Sequence, residues 1–183
     1  MLRDCQKLDQ FRLPQGFRGR SAIIVQLWWL VQSTLFAMSP QVLFGWRVFL
    51  LRLFGAKIGR DVLIRPSVRV TYPWKVSIGD RVWIGDHAEL YSLGEIEIGD
   101  DVVISQKSYL CAATHDYTKP SFDMIDKKIT LEDQVWLATD VFVAPGITIG
   151  RGALVGARSS VFSDMPEGMI CLGSPAKAIK PRV

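Results

Sequence analysis

The sequence has few of the residues that bind metal ions or form disulfide bonds. Of its 183 residues, two are histidine and three are cysteine. Cys5, Cys111 and Cys171 are odd in number and follow no recognisable spacing, so neither a disulfide framework nor a metal motif is predicted. Two histidines are also too few for a zinc site built from three histidine ligands. We therefore predict an enzyme or binding protein that works without a metal.

The chain also has little excess of one charge over the other. The net charge is only +4, and much of the excess lies at the two ends of the chain, which argues against nucleic acid as a partner. The N-terminus does not combine a basic start, a short apolar run and a small-residue cleavage site. We therefore predict a cytoplasmic protein with reduced thiols.

Residues 21–46 contain no charged residue at all. Two helical stretches are predicted around the break at Ser39-Pro40, and polar residues interrupt the apolar run too early for a membrane span. Two alternatives are open for residues 21–54. Either they cover one end of the fold that follows, or their tryptophans contact the inner face of a membrane. We assign residues 1–54 to an N-terminal arm and helical cap.

Residues 55–183 carry a repeat of six residues. Fifteen aliphatic residues form five triplets with this spacing. They are Ile58, Ile64, Val70; Ile78, Ile84, Leu90; Ile98, Ile104, Leu110; Leu131, Leu137, Val143; Ile149, Val155 and Val161. A period of six matches neither an amphipathic helix nor an alternating strand. It predicts an all-β solenoid, a parallel β-helix of about five coils with one inward aliphatic residue per turn.

Two further features accompany the repeat. Four residues after each aliphatic residue we predict a second inward position, and Thr114 occupies one of these. Glycine follows the aliphatic residue in six units, where we expect a tight corner that uses its conformational freedom. The six are Gly59, Gly79, Gly85, Gly99, Gly150 and Gly156.

A long insertion separates the third triplet from the fourth. The excess lies in residues 116–130, and a loop this long without structure of its own tends to be functional. His115 directly precedes it, and a neutral imidazole can accept a proton near neutral pH. The coil period places Glu95 one rung below His115, so Glu95 or Asp116 would orient the imidazole or hold a substrate hydroxyl. Alternatively, His115 and Asp116 only form the turn at which the loop begins.

Several motifs support a family resemblance. They are the hexapeptide frame, Thr114-His115-Asp116, Val143-Ala144-Pro145-Gly146 and Gly173-Ser174-Pro175-Ala176-Lys177. Together they resemble the left-handed β-helix acetyltransferases, and most of all the O-acetyltransferases of colanic acid biosynthesis. The resemblance implies a homotrimer with active sites between subunits, acetyl-CoA as the donor and a sugar hydroxyl as the acceptor. The family's catalytic histidine falls on His115, which would deprotonate the hydroxyl for direct attack on the thioester.

The resemblance also implies a coenzyme A site. Its expected residues are Trp136, Ala138, Thr139, Ala157, Arg158, Lys177 and Lys180. The alternatives are an outward Trp136 that packs on the next subunit, and a solvated basic tail. Galactoside-type members bind the acceptor with an asparagine, and this chain contains none. Tyr91, Ser92 and Glu95 occupy that region, so we expect them to contact the acceptor.

Three other functions compete with this one. A γ-class carbonic anhydrase shares the fold but needs three histidines. A nucleotide-sugar N-acetyltransferase also needs a histidine base and stays open. A non-catalytic β-helix assembly module stays open as well, because the repeat specifies fold and not chemistry. The assembly module is disfavoured because we expect His115, the inserted loop and the Trp136 segment to lie together at one level of the prism. Membrane contact by residues 21–54 would favour a lipid-linked glycan acceptor, and its absence a soluble sugar.

Overall fold

The computed structural model describes residues 5–183 of the chain. An extended arm with one 3-10 turn, Leu8–Gln10, leads into helix α1, Ala22–Val31. The Ser21 hydroxyl caps α1 by accepting from the Ile24 N–H, and α1 continues into a π-helical turn, Gln32–Phe36. Helix α2, Phe44–Leu53, follows. The β-helix then begins at Lys57, close to the predicted boundary.

Three sheets form the walls of the β-helix, and the chain visits them in the order A, B, C. Their strands are parallel except for the antiparallel pair β18 and β19 at the end of face B. Face A consists of β1 Lys57–Ile58, β4 Val76–Ile78, β7 Ile96–Ile98, β12 Ile129–Leu131 and β15 Thr148–Ile149. Face B consists of β2 Leu63–Ile64, β5 Trp83–Ile84, β8 Val103–Ile104, β13 Trp136–Leu137, β16 Leu154–Val155, β18 Met169–Gly173 and β19 Ala176–Pro181. Face C consists of β3 Arg69–Val70, β6 Glu89–Tyr91, β9 Tyr109–Cys111, β14 Phe142–Val143 and β17 Ser160–Val161.

A separate hairpin interrupts the coils between faces C and A. It pairs β10, Ala113–His115, with β11, Met124–Asp126, in antiparallel fashion. A 3-10 turn, Pro73–Lys75, marks the same corner two coils earlier.

The predicted frame is confirmed. All fifteen aliphatic residues lie in the parallel strands, and all except the first, Ile58, are at most 5% exposed. Residues of successive coils stack in register, as Ile78 does on Ile98. An incomplete sixth turn follows the predicted five, with Met165 bridging to Ile149 and Cys171 aligned with Val155.

The corner glycines are explained by close approach and not by backbone conformation. None of the six predicted corner glycines has a positive φ, so the expected reason is wrong. A Cβ on Gly79 would come within 2.8 Å of the Gly99 carbonyl carbon and 2.9 Å of the Asp100 nitrogen in the next coil. Positive φ belongs instead to the residue three positions after the aliphatic one, at Asp61, Arg81, His87, Asp101, Lys107, Gln134, Asp140, Gly146, Gly152 and Arg158.

The two helices cap the first coil, as one of the two alternatives predicted. Within residues 5–183 its strands have no neighbouring strand on their outer side, and such an edge leaves backbone groups unpaired. Side chains of the cap supply a partner on each face. Arg52 donates to the Ile58 carbonyl at 2.8 Å on face A, Arg47 to the Ile64 carbonyl at 2.6 Å on face B, and the Trp28 indole to the Val70 carbonyl at 2.8 Å on face C.

Candidate active site

The inserted segment is a hairpin and not a loop without structure. The chain leaves the third coil at Ala112 and returns at Lys127, whose N–H donates to the Ala112 carbonyl at 3.0 Å. In the hairpin, His115 pairs with Met124. The last two residues of the predicted loop, 129–130, already belong to β12. Thr114 is exposed on the hairpin, so its predicted inward position is wrong.

His115 is held between two phenylalanines with one ring nitrogen fixed. Its Nδ1 lies 2.8 Å from the Phe122 carbonyl oxygen. Because a carbonyl only accepts, Nδ1 carries the proton and donates, which leaves the lone pair of Nε2 available. The Phe122 ring stacks on the imidazole with centroids 4.0 Å apart, and the Phe11 ring meets its edge at 5.9 Å. A half-buried imidazole in this tautomer has the form of a general base.

The N-terminal arm covers this hairpin, which sequence reasoning missed. Besides the Phe11 contact, the Lys7 N–H donates to the Pro120 carbonyl at 2.6 Å. Phe11 is an isolated aromatic residue in a polar stretch, and neither spacing nor hydropathy connects it to His115. The arm therefore belongs to the surroundings of the candidate base.

The base of the hairpin is anchored in a small hydrophobic cluster. Buried Val25 of α1, Leu93 and Ala113 pack together, with Met124 and Tyr91 against them. Tyr91, one of the predicted acceptor residues, is half-buried here and stacks on Tyr109 at 5.9 Å. The strand that carries His115 is thus fixed both to the coils and to the first helix.

Glu95 does not lie one rung below His115. The Ile129 N–H donates to the Glu95 carbonyl at 3.0 Å, so the residue aligned with Glu95 in the next coil is Lys128. The prediction of that neighbour is wrong because the inserted hairpin interrupts the twenty-residue period after Ala112. Glu95 itself is exposed on the side of face A.

Ser92 is a structural residue and cannot contact the acceptor as predicted. Its side chain is 0% exposed. Its hydroxyl accepts from the Tyr72 N–H at 2.8 Å and donates to the Tyr72 carbonyl at 3.0 Å. Both capacities of the hydroxyl are used to bridge two coils at a place where the ladder has no direct bond.

Asp116 organises the tip of the hairpin. One carboxylate oxygen accepts from the Thr118 N–H at 3.0 Å and from the Thr118 hydroxyl at 2.5 Å. Lys119 lies 3.4 Å from the other oxygen. The Thr118 hydrogen bonds, assisted by Lys119, lower the pKa of Asp116 below its ordinary value. The side chain is thus ionised and engaged in the turn.

The predicted coenzyme A residues gather along face B and the edge where B meets C. Trp136 points outward, 40% exposed, and its indole donates to the Ser105 hydroxyl at 3.1 Å. The edge residues Ala138, Thr139, Ala157 and Arg158 follow β13 and β16, which pair in register, and the Arg158 N–H donates to the Thr139 carbonyl at 2.9 Å.

The two predicted lysines lie farther along the same face. Both are exposed on β19, where Lys177 is aligned with Leu172 and Lys180 with Ile170. Ile170 continues the ladder that runs through Leu154 to Trp136. The structure therefore brings all seven predicted coenzyme A residues to one side of the prism.

The hairpin with His115 lies on the other side. It leaves the coils where face C passes to face A, and in a triangular prism this corner is opposite face B. His115 and Trp136 therefore do not lie on the same side of the β-helix. One chain alone does not bring the candidate base to the predicted donor residues.

A parallel β-helix of hexapeptide coils, with a histidine fixed on an inserted hairpin, defines the class of hexapeptide-repeat acyltransferases. No model of a known protein family matches the chain. A relative in Escherichia coli K12, named as the colanic acid biosynthesis acetyltransferase WcaF, is 60% identical over 178 residues, which are 97% of this chain and 98% of that one.

Solved structures agree in fold. An acetyltransferase of Vibrio cholerae with hexapeptide repeats, complexed with acetyl coenzyme A, superposes with a TM-score of 0.80 at 24% identity and covers 89% of this chain and 91% of that chain. A galactoside acetyltransferase in complex with coenzyme A gives a TM-score of 0.81 at 23% identity, over 92% and 83% of the two chains. The protein therefore belongs to the left-handed β-helix acetyltransferases and is an acetyltransferase.

Proposed function

We propose that this protein transfers an acetyl group from acetyl-CoA to a sugar hydroxyl during the biosynthesis of a polysaccharide, in the cytoplasm. The observation that carries the proposal is the hydrogen bond from His115 Nδ1 to the Phe122 carbonyl, because it presents Nε2 as a base. The name of the Escherichia coli relative supports the pathway, and the ligands in the titles of the two solved structures support the donor.

The chemistry needs one base and two positioned substrates. Nε2 of His115 takes the proton of the acceptor hydroxyl while the oxygen attacks the thioester carbonyl carbon. A backbone N–H beside the thioester stabilises the negative charge that develops on its oxygen. The carbon–sulfur bond then breaks, and the imidazolium returns its proton to the sulfur of coenzyme A. No acyl-enzyme forms, so most of the rate enhancement comes from holding the substrates together.

The donor occupies the edge between faces B and C, on a second copy of the chain. The resemblance implies a homotrimer, and the separation of His115 from face B supports a site shared between copies. In this arrangement Trp136, Ala138, Thr139 and Ala157 line the pantetheine arm. The positive charges suited to the phosphates come from Arg158, Lys177 and Lys180.

The acceptor lies between the hairpin and the coil beneath it. Tyr91 is the strongest of the proposed contacts, because it packs at the base of the hairpin. Asp116 and Glu95 are the polar groups that flank this region, although Asp116 is already bonded within the turn. Ser92 does not contact the acceptor because its side chain is buried.

The test is the release of free coenzyme A thiol from acetyl-CoA across a panel of sugars, nucleotide sugars and lipid-linked glycans. We expect His115→Ala to lower kcat/KM by about 10²- to 10⁴-fold, the usual contribution of a general base. The matched control is His87→Asn, which changes the other histidine. His87 is exposed and has a φ of 58°, a conformation that asparagine tolerates. A sugar hydroxyl acetylated at full rate by His115→Ala would overturn the proposal.

A further inference from the structure

The helical cap carries a large exposed hydrophobic surface. Twelve large apolar side chains between residues 23 and 53 are exposed. They are Ile23, Ile24, Leu27, Trp29, Leu30, Leu35, Met38, Val42, Leu43, Trp46, Phe49 and Leu53, which we name the apolar cap surface. Only Val25 and Trp28 of α1 are buried. A helix that is hydrophobic all round is normally covered by protein or lipid, and a large exposed apolar surface marks an interaction site.

The geometry fits contact with a lipid surface and not a span. Helix α1 and its π-helical continuation run from Ala22 to Phe36, about 22 Å at 1.5 Å per residue, against about 30 Å of hydrocarbon. None of the helices in residues 5–183 is long and apolar enough to cross a bilayer. Trp29 and Trp46 are both exposed on this surface, and tryptophan favours the boundary between lipid and water.

The charges around the cap select the partner. Between Asp9 and Asp61 the chain has no acidic residue. Six exposed basic residues lie in the same interval, namely Arg12, Arg18, Arg20, Arg52, Lys57 and Arg60, and of these Arg60 pairs with Asp80 at 3.0 Å. Arg20 approaches Gly55 just beyond the end of α2, which carries Arg52 in its last turn. A two-fold interface between two copies would place these like charges against one another, whereas an anionic lipid surface would neutralise them.

We propose that the apolar cap surface docks this enzyme on an anionic lipid membrane. The docking would also set the substrate class. Val25 of α1 packs with Ala113 and Met124 at the base of the hairpin, so the strand that carries His115 is fixed to the helix that meets the lipid. Resting on the proposed acetyl transfer, this arrangement assigns the acceptor as a glycan joined to a membrane lipid.

The first experiment is flotation of the full chain with vesicles of phosphatidylethanolamine and phosphatidylglycerol. We expect binding that weakens in high salt and with vesicles of phosphatidylcholine alone, because the basic residues contribute. This comparison uses the unaltered protein, so it does not depend on the folding of a variant. Unaltered protein that stays at the bottom of the gradient with anionic vesicles would overturn the proposal.

The second experiment removes part of the apolar cap surface. Ile23→Gln, Leu27→Gln and Leu30→Gln together change positions that are 79%, 49% and 60% exposed, so the fold should persist. We expect vesicle affinity to fall at least about tenfold, since apolar burial drives interfacial binding. The matched control, Ile179→Gln, changes an exposed isoleucine on β19 and should bind like the unaltered protein. Equal binding by the triple variant would contradict the proposal, as would self-association without vesicle binding.

The two proposals fail in distinguishable ways. If a soluble sugar is acetylated and His115→Ala abolishes this, but no vesicles are bound, then the docking is wrong and the acetyl transfer stands. If vesicles are bound and His115→Ala keeps full activity, then the docking stands and the proposed base is wrong. Faster acetylation of a lipid-linked glycan than of the same free glycan, only in the presence of vesicles, would support the assigned acceptor.

Discussion

The coil stack and the helical cap distribute similar side chains in opposite ways. In the coils the fifteen aliphatic residues of the six-residue frame point inward and are nearly all buried, while the outward positions of face A are polar, as Ser77, Glu97 and Thr130 show. In the cap most large apolar residues point outward. The inward residues of the coils are therefore buried within one chain, although Trp83 and Trp136 stay exposed on face B. The cap buries only the face that covers the first coil. The difference indicates that the remaining surface of the cap serves a partner.

The largest difference in stability is expected between substitutions of two leucines. Leu110 is 0% exposed in face C, and Leu27 is 49% exposed on α1. We expect Leu110→Ala to lower the free energy of unfolding by about 2–5 kcal/mol, because it leaves a cavity between stacked coils. Leu27→Ala should change it by no more than about 0.5 kcal/mol. Chemical denaturation of both variants measures the contrast, and an equal loss would show that the cap is packed in the way the coils are.

A smaller effect compares two glycines. A Cβ on Gly79 would meet backbone atoms of the next coil, whereas no atom of the described part of the chain lies within 4 Å of a Cβ on Gly45 in α2. We expect Gly79→Ala to cost about 1–3 kcal/mol through overpacking. Gly45→Ala should stabilise the protein by at most about 1 kcal/mol, because alanine favours the helix. Thermal or chemical unfolding would reveal the opposite signs, and a stabilising Gly79→Ala would refute the close approach of the coils.

The coils could be predicted from the sequence because every turn offers its inward residue the same surroundings. Fifteen equivalent positions then give one consistent pattern. The neighbours of His115 could not be predicted in this way. The inserted hairpin shifts the register, so that Lys128 and not His115 is aligned with Glu95. The contact of His115 with Phe11 joins residues far apart in sequence, and the six-residue repeat does not predict it.

Predictions for individual residues also succeed where the six-residue repeat applies and fail where it does not. The placement of Trp136 on an outward strand position was open to sequence reasoning, because it precedes the inward Leu137. Ser92 follows an outward position of β6 and falls where the coil turns. The spacing does not predict that its hydroxyl is buried and bonded to the Tyr72 backbone.

The proposal that the active site is shared between copies can be tested directly by mixing two inactive variants. His115→Ala removes the base, and Ala157→Trp blocks the exposed donor edge. We predict that each variant alone is inactive and that co-expression restores about a quarter of the unaltered activity, because random trimers pair an intact base with an intact neighbouring edge at that frequency. Co-expressed variants that stay inactive, or an active Ala157→Trp, would contradict a site built from His115 of one chain and face B of another.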